Sequence, residues 1–295
     1  MAKRLQKVIS SIVANEQSGY IKGRYIGNNV RLLSDIIDLS EKEDIPGALL
    51  TLDFEKAFDS LEWEFMLETL KLFNFGPNFI HWIKVLYKNA YLTIKNNGWL
   101  SRKVYMSRGI HQGCPISALI FILAVEILAI KIRSAANVKG INIGDSVYKI
   151  LQYADDSTLT LADYESIINS IIIINEFSAL AGIKLNTDKT EGLWLGPLRQ
   201  NGPNQFYNIK FSNVPIKCLG HIGHDSSLCY KLNWNKKLNF LENLIDRWKV
   251  HNLSIFGKVL VVNTLAVPIL VYNFTVLHVP ENIIVNLQKK RFCVA

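Results

Sequence analysis

The sequence predicts an α+β fold in which a mixed body of strands and helices is followed by a small basic helical unit. Three observations predict it. Short apolar runs such as Ala48–Phe54 and Ser157–Leu161 have strand length and are bounded by acids or turn residues. Longer segments between them repeat apolar residues at three- and four-residue steps, as amphipathic helices do. Beyond Gly196–Asn213, a Gly-, Pro- and Asn-rich stretch and the clearest linker candidate, the pattern turns helical and basic. At 295 residues the chain exceeds a typical domain of about 100–200 residues, so two or three packed subdomains are expected. Its 49% hydrophobic and 20% charged residues can supply a sizeable core and exclude a disordered chain.

Each element follows in order. Asn29–Ser40 carries helical spacing (Val30, Leu33, Ile36, Ile37) and stops before the acidic Glu41–Pro46. Ala48–Phe54 reads as a buried strand ending at Asp53. Glu62–Phe73 and Asn78–Tyr87 read as amphipathic helices parted by Gly76-Pro77. Tyr91–Lys95 and Lys103–Met106 make a hairpin around Asn96-Asn97-Gly98. Pro115 suits the first turn of a long helix reaching Ala135. Two short strands flank Gly144-Asp145, and the second, Val147–Tyr153, leads into Ala154-Asp155-Asp156. With Ser157–Leu161 as the return strand, this is a hairpin with adjacent carboxylates at its tip. Glu165–Ala181 is a helix ended by Gly182, and Gly192–Leu195 a further strand. Trp234, Leu238, Leu241, Ile245 and Trp248 form one apolar helical stripe, with Lys236, Lys237, Arg247 and Lys249 off it.

The net charge of +8 is unevenly spread. Residues 200–295 hold 11 Lys+Arg and 4 Asp+Glu, against 22 and 21 in residues 1–199. A basic last third on a neutral body suits a docked polyanion, and equally a solvated face. Four cysteines (Cys114, Cys218, Cys229, Cys293) do not make a disulfide framework in so long a chain. Cys218-x2-His221-x2-His224-x4-Cys229 has a zinc-like look but fits none of the usual finger spacings, so satisfied loop histidines are expected there. Met1–Val13 has no signal-peptide pattern. Val259–Val279 is apolar but interrupted by Asn263, Thr264, Pro268, Asn273 and His278. Ile116–Ile132 contains Glu126 and falls short of the roughly 20 residues that cross a bilayer. Both are expected as buried helices, in a protein that is intracellular, not secreted and without a membrane partner.

Three segments carry chemistry. In Leu50–Asp59, Asp53 ends an apolar strand, where a buried carboxylate needs compensation that a divalent cation can supply. A cap or surface acid reads equally well there. In Tyr153-Ala154-Asp155-Asp156, adjacent acids at a turn repel each other, and a pair of cations relieves that repulsion. An acidic hairpin tip facing water is the ordinary alternative, but Ile150, Leu151, Leu159 and Leu161 make the flanking strands half-buried. Arg108–Ser117 is a glycine-containing loop opening a long helix, suited to phosphate yet lacking the Gly-Lys-Ser/Thr ending of a Walker loop. Together the three fit metal-dependent nucleotidyl transfer, in which carboxylates from separate strands hold two metals about 4 Å apart.

In these segments and four others the sequence resembles the reverse transcriptases of non-long-terminal-repeat (LINE-type) retrotransposons over nearly its whole length. Gln17-Ser18-Gly19-Tyr20-Ile21-Lys22-Gly23-Arg24 resembles the family's early fingers block. Asp53 to Phe58 is similar to its first catalytic motif, Gln112–Ser117 to its template and nucleotide motif, and Tyr153–Asp156 to its catalytic hairpin. Leu185-Asn186-x-x-Lys189-Thr190 resembles the motif that follows, Ile216–Gly220 the primer-grip hairpin, and Leu253–Val259 the start of a thumb helix.

The resemblance implies a right-hand polymerase: partial fingers at 1–46, a palm at 47–205 with a fingers-like helical insertion near 60–105, a primer-grip region at 206–229 and a thumb-like unit at 230–295. It implies an RNA-directed DNA polymerase joining a dNTP to a primer 3′-hydroxyl on an RNA template. Two Mg²⁺ ions, or Mn²⁺, would be held by Asp53, Asp155 and Asp156. Phe58 would be the sugar gate beside Phe54. Gln112, Gly113 and Arg24 would bind substrate, Lys189 would assist pyrophosphate, and Lys217, Leu219 and Gly220 would grip the primer. Lys236, Lys237, Arg247 and Lys249 would meet nucleic acid. The family's leading fingers segment, endonuclease domain and Cys/His knuckle are absent from this sequence. The expectation is therefore a fragment or truncated element, with a weak or inactive nucleic-acid-binding remnant as the alternative.

Overall fold

Gly47–Leu52 (β1) carries no polar side chain except Thr51, and the fold is built around it. The computed structural model describes residues 1–277, 279, 281 and 283–285. His278, Cys293 and the end of the expected thumb-like unit, 286–295, lie outside the described residues. The main sheet adds Ile150–Tyr153 (β2), Asp156–Leu161 (β3), Glu191–Leu195 (β4), Gln205–Phe206 (β5) and Ile209–Phe211 (β6), in spatial order β5-β6-β4-β1-β3-β2. Every neighbouring pair is antiparallel except β4 with β6.

Alternation along β1 sorts its side chains into two cores. Ala48, Leu50 and Leu52 face a large cluster shared with Ser117–Ser134 and Tyr164–Ala181, while Leu49 faces a second cluster with Val30, Leu33, Ile36 and Ile37 of Ile26–Lys42. A central strand covered on both faces reads as a continuous apolar run, and β1 does so. Ser117–Ser134 is apolar on nearly every side because it is buried on nearly every side. Its one acid, Glu126, is 1% exposed and pairs with Arg133 while accepting from the Ala14 N–H. Burial still pushes its carboxyl above the usual range, against the pull of Arg133.

Three expectations need correction. Gly196–Asn213 is not a linker: Leu198–Asn201 is helical, and β5 and β6 extend the sheet. Composition hid this, because the packing rests on Ile209 and Phe211, both buried, with Phe211 stacked on Trp194 at 3.9 Å. Val147–Tyr153 is not one strand. Ser146–Tyr148 pairs with Ile141–Ile143, and after Lys149 the chain changes partner to β3.

The third correction concerns Val259–Val279. Ile255–Val261 is α-helical, Val262–Ala266 is a π turn, and Val267–Val276 is α-helical again. The π turn lies just before Pro268, whose missing N–H and ring loosen the preceding turn. Rather than buried, Ile255–Val276 is mostly exposed, with Ala266, Leu270 and Asn273 its buried residues, and by length and composition alone it could cross a membrane. Hydropathy does not say which side has a partner. Here only an inner edge, with Ala266 and Leu270, joins Trp234 and Leu241 in a small core against Ser226–Lys249.

Candidate active site

The register of β1 with β3 decides where the acids meet. Thr51 faces Thr158 and Leu52 faces Ser157, so Asp53, the residue that follows β1, leaves the pair beside the end of β3 where Asp156 stands. Facing side chains in such pairs lie roughly 4.5–5.5 Å apart at Cβ. Between Tyr153 and Asp156, which pair, Ala154 and Asp155 form a two-residue turn. Asp53 therefore comes beside the hairpin tip across about a hundred residues of chain.

The convergence has an electrostatic consequence. Burial first, then the neighbouring Asp53, raise the Asp155 carboxyl above its ordinary value, partly opposed by a backbone hydrogen bond. Asp156 is raised by burial, by Asp155 and by Asp53, while Lys217 opposes the rise. Although the Asp156 side chain reaches solvent, the cleft walls remove part of its hydration. Asp53, Asp155 and Asp156, with Asp188 and Glu191 beside them, outnumber the lysines Lys189 and Lys217 of the same cleft, and an excess of negative charge suits divalent cations. Among the described residues no three His, Cys, Asp or Glu side chains form a ready-made metal cage. Mg²⁺ commonly binds through one or two carboxylates with water and substrate phosphates completing its shell, so this open donor set fits it.

Asp53 is held by its own backbone. The Thr190 hydroxyl accepts from the Asp53 N–H at 3.3 Å, and the Asn186 N–H donates to the Asp53 carbonyl at 2.8 Å. Thr190 in turn donates to the Asn186 carbonyl at 2.8 Å, closing a small ring of bonds under the acid. A cleft of about 630 Å³ opens there, lined by Asp53, Asp156, Asp188, Lys189, Lys217 and Gly220 among others. Leu219 also lines it, in a left-handed conformation (φ 51°), and its carbonyl accepts from the Tyr272 hydroxyl. Asp188 and Glu191 in this lining escaped the sequence reading, because isolated acids near a strand start look like surface residues.

Other expected residues lie elsewhere. Gln112 and Gly113 are exposed and outside this cleft, with Gln112 donating to Asp59 at 3.3 Å. Phe54 and Phe58 are half-buried against the main core, and Phe58 stacks on Phe121 at 4.2 Å. Arg24 is engaged internally: its guanidinium donates to the carbonyls of Ser10, Val13, Ala14 and Gln17, serving the end of the helix Ala2–Ile12. That corrects its expected place against substrate. Lys237 needs the same correction, since it donates to the Asn273 side chain and lies 5.2 Å over the Tyr272 ring. Lys236 and Arg247 are exposed, and Lys249 is exposed but paired with Asp246 at 3.0 Å. In the zinc-like stretch, Cys218 bonds Thr158 at 3.0 Å, and His224 sits between Glu41 and the Trp194 carbonyl.

A largely antiparallel sheet backed by helices, with two strand-end acid positions meeting at a hairpin tip, is the palm of a right-hand polymerase. The chain belongs to the family described as reverse transcriptase (RNA-dependent DNA polymerase), which matches residues 1–241. It is 27% identical to the transposon TX1 uncharacterized 149 kDa protein of Xenopus laevis over 97% of this chain and 22% of that protein. It is also 25% identical to the Pol polyprotein of the R2DM retrotransposable element of Drosophila melanogaster, over 59% of this chain and 16% of that one. The chain thus spans only about a fifth of the length of these relatives. Among solved structures, the telomerase of Candida tropicalis in complex with a TWJ fragment of telomeric RNA shares the fold. Its TM-score is 0.56 at 14% identity, over 92% of this chain and 45% of that one.

Proposed function

We propose that this chain is the polymerase core of a non-long-terminal-repeat retrotransposon, adding dNTPs to a DNA primer on an RNA template. The observation that carries the reading is the β1–β3 register, which brings Asp53 to the Asp155-Asp156 tip. Two divalent cations bound among these carboxylates would activate the primer 3′-hydroxyl and stabilise the leaving pyrophosphate. Asp53 stays oriented through Asn186 and Thr190, so little reorganisation is needed when substrate arrives. Lys189, on the cleft wall, would offset charge on the pyrophosphate. Lys217, Leu219 and Gly220 would hold the primer end opposite the acids. Phe58 would exclude a ribose 2′-hydroxyl, its ring braced by Phe121.

In this reading residues 1–46 act as fingers, 47–205 as palm, 206–229 as primer grip and 230–295 as thumb. The protein works inside the cell, where its template is. The test is single-turnover primer extension on an RNA template with Mg²⁺. Asp53→Asn and Asp155→Asn are each expected to slow extension on the order of a thousandfold with primer–template affinity retained, since they remove only the negative charge that would hold the cations. Extension within tenfold of the unaltered chain would end the reading. Phe58→Ala is expected to relax discrimination against ribonucleotides, and unchanged sugar selectivity would leave the ring as core packing alone.

A further inference from the structure

Ala154, at the tip of the acid-bearing hairpin, adopts a left-handed conformation (φ 56°). A non-glycine residue holds such a conformation only where its surroundings over-determine it. Beside the hairpin itself, one side chain does so. Gln17 is 1% exposed, and its Oε1 accepts from the Ala154 N–H at 2.8 Å while its Nε2 donates to the Ala154 carbonyl at 3.3 Å. One amide thus grips both peptide groups flanking Ala154, and Asp155 follows directly. The same Oε1 also accepts from the Gly19 N–H at 2.8 Å, which fixes the amide's own orientation.

The segment that delivers Gln17 is itself anchored. The Ser18 N–H donates to the Gln152 carbonyl and the Gln152 N–H to the Glu16 carbonyl, both at 2.9 Å, so residues 16–18 run beside β2. Asn29 bonds the same two carbonyls, at 2.8 Å to Gln152 and 3.2 Å to Glu16, without touching the turn. Gly19 passes so close that a Cβ there would meet the Ala154 nitrogen at 2.4 Å. The approach is open only to glycine.

We infer that Gln17 is a positioning residue of the polymerase site, a clamp that holds the Ala154 turn left-handed and thereby aims Asp155 at the metal-binding space. This rests on the reading of Asp53, Asp155 and Asp156 as metal ligands. Gln17 touches neither substrate nor metal; it acts through the turn.

The test uses the whole chain in three forms: unaltered, Gln17→Met, which keeps length and unbranched shape but loses the hydrogen bonds, and Asn29→Ala, which loosens the same segment but spares the turn. Hydrogen exchange at the Ala154 amide is read first, alongside melting temperature. The Met variant is expected to lose protection there by about tenfold or more, while Asn29→Ala keeps it at equal or greater loss of melting temperature. Mn²⁺ binding without nucleic acid and the Mg²⁺ dependence of primer extension are read second. The Met variant should need several-fold more metal and extend about 10- to 100-fold more slowly, as misplacement of reacting groups does. Unchanged exchange at Ala154, or identical behaviour of the Met and Asn29→Ala variants, would overturn the clamp and leave Gln17 as packing. If the unaltered chain neither binds Mn²⁺ nor extends primer, the polymerase reading fails by itself, and the exchange experiment still decides whether the clamp exists. Gly19→Ala should reproduce the exchange defect with Gln17 intact.

Discussion

Leu50, in the middle of the sheet, is 0% exposed and lies within a cluster that reaches across the body of the protein. Phe256, in the C-terminal helical unit, is 83% exposed, and its neighbour Leu260 is 63% exposed. Both regions are apolar in sequence, but they use that apolarity differently. The body folds its strands between helices and seals them. The C-terminal unit closes only a small core around Trp234, Leu241 and Leu270 and leaves most of Ile255–Val276 uncovered. It is tied to the body partly by polar bonds: Asn233 accepts from the His221 N–H and donates to the His221 carbonyl, and Tyr272 donates to the Leu219 carbonyl. The difference teaches that acids needing fixed spacing sit on the sealed region, while the region expected to follow nucleic acid is joined by contacts that can loosen separately.

The largest effect should come from breaking the sealed core. Phe121→Ala removes a fully buried ring and is expected to destabilise the protein by about 3–5 kcal/mol, with loss of metal binding as the whole body unfolds. Trp234→Ala removes a ring of similar burial from the small core, yet only the C-terminal unit should open. Hydrogen exchange mapped by segment distinguishes these outcomes. If Trp234→Ala unfolds the sheet as well, the two regions form one cooperative unit and the comparison breaks.

Next in size is the response to salt. Replacing exposed Lys236 and Arg247 by Gln should flatten the logarithmic dependence of hybrid affinity on salt by about one to two, as each lost phosphate contact releases fewer counterions. Lys237→Gln should leave that slope alone and lower stability, because Lys237 bonds Asn273 instead. Equal slopes for all three would make the exposed lysine and arginine a solvated face.

Smaller still, Tyr272→Phe cuts one tie between the regions and is expected to cost about 1 kcal/mol. Burial pushes this phenol up to about 12, so it remains protonated and a donor throughout the working range. The expected readout is faster exchange in the C-terminal unit with the sheet unchanged.

The smallest effect has the opposite sign. Because burial and Asp53 raise the Asp155 carboxyl, the folded chain binds that proton more readily than the unfolded chain does. Ionisation therefore weakens the metal-free fold, with the full penalty above the raised value and none below the ordinary carboxylate range. Asp155→Asn should raise the melting temperature in EDTA by about 1–2 °C at neutral pH, allowing for solvent screening, with the gain fading below about pH 4. A fall at neutral pH would show that the carboxylate contributes structure of its own.

Much of this was legible along the chain. The apolar runs of β1 and β3, the long helix after Pro115 and the helix stopped by Gly182 follow from local period and breakers, which act over a few residues. The carboxylates were legible too, since an acid closing an apolar strand is conspicuous. The strands at Gln205–Phe206 and Ile209–Phe211 were not, because their partner β4 lies earlier in the chain and turn residues dominate their surroundings. Nor was the exposure of Ile255–Val276, because hydropathy records preference for burial and not the presence of a neighbour.

By itself, then, the sequence determined most of the segments that become strands and helices and which acids stand at strand ends, since these depend on local propensity and alternation. Only the tertiary structure decided that Asp53 meets Asp155 and Asp156, that Arg24 and Lys237 serve the fold, and that Gln17 holds the turn at Ala154. Such pairings depend on register between strands and on reach across 7 to 137 residues, and local period and breakers do not encode the partner.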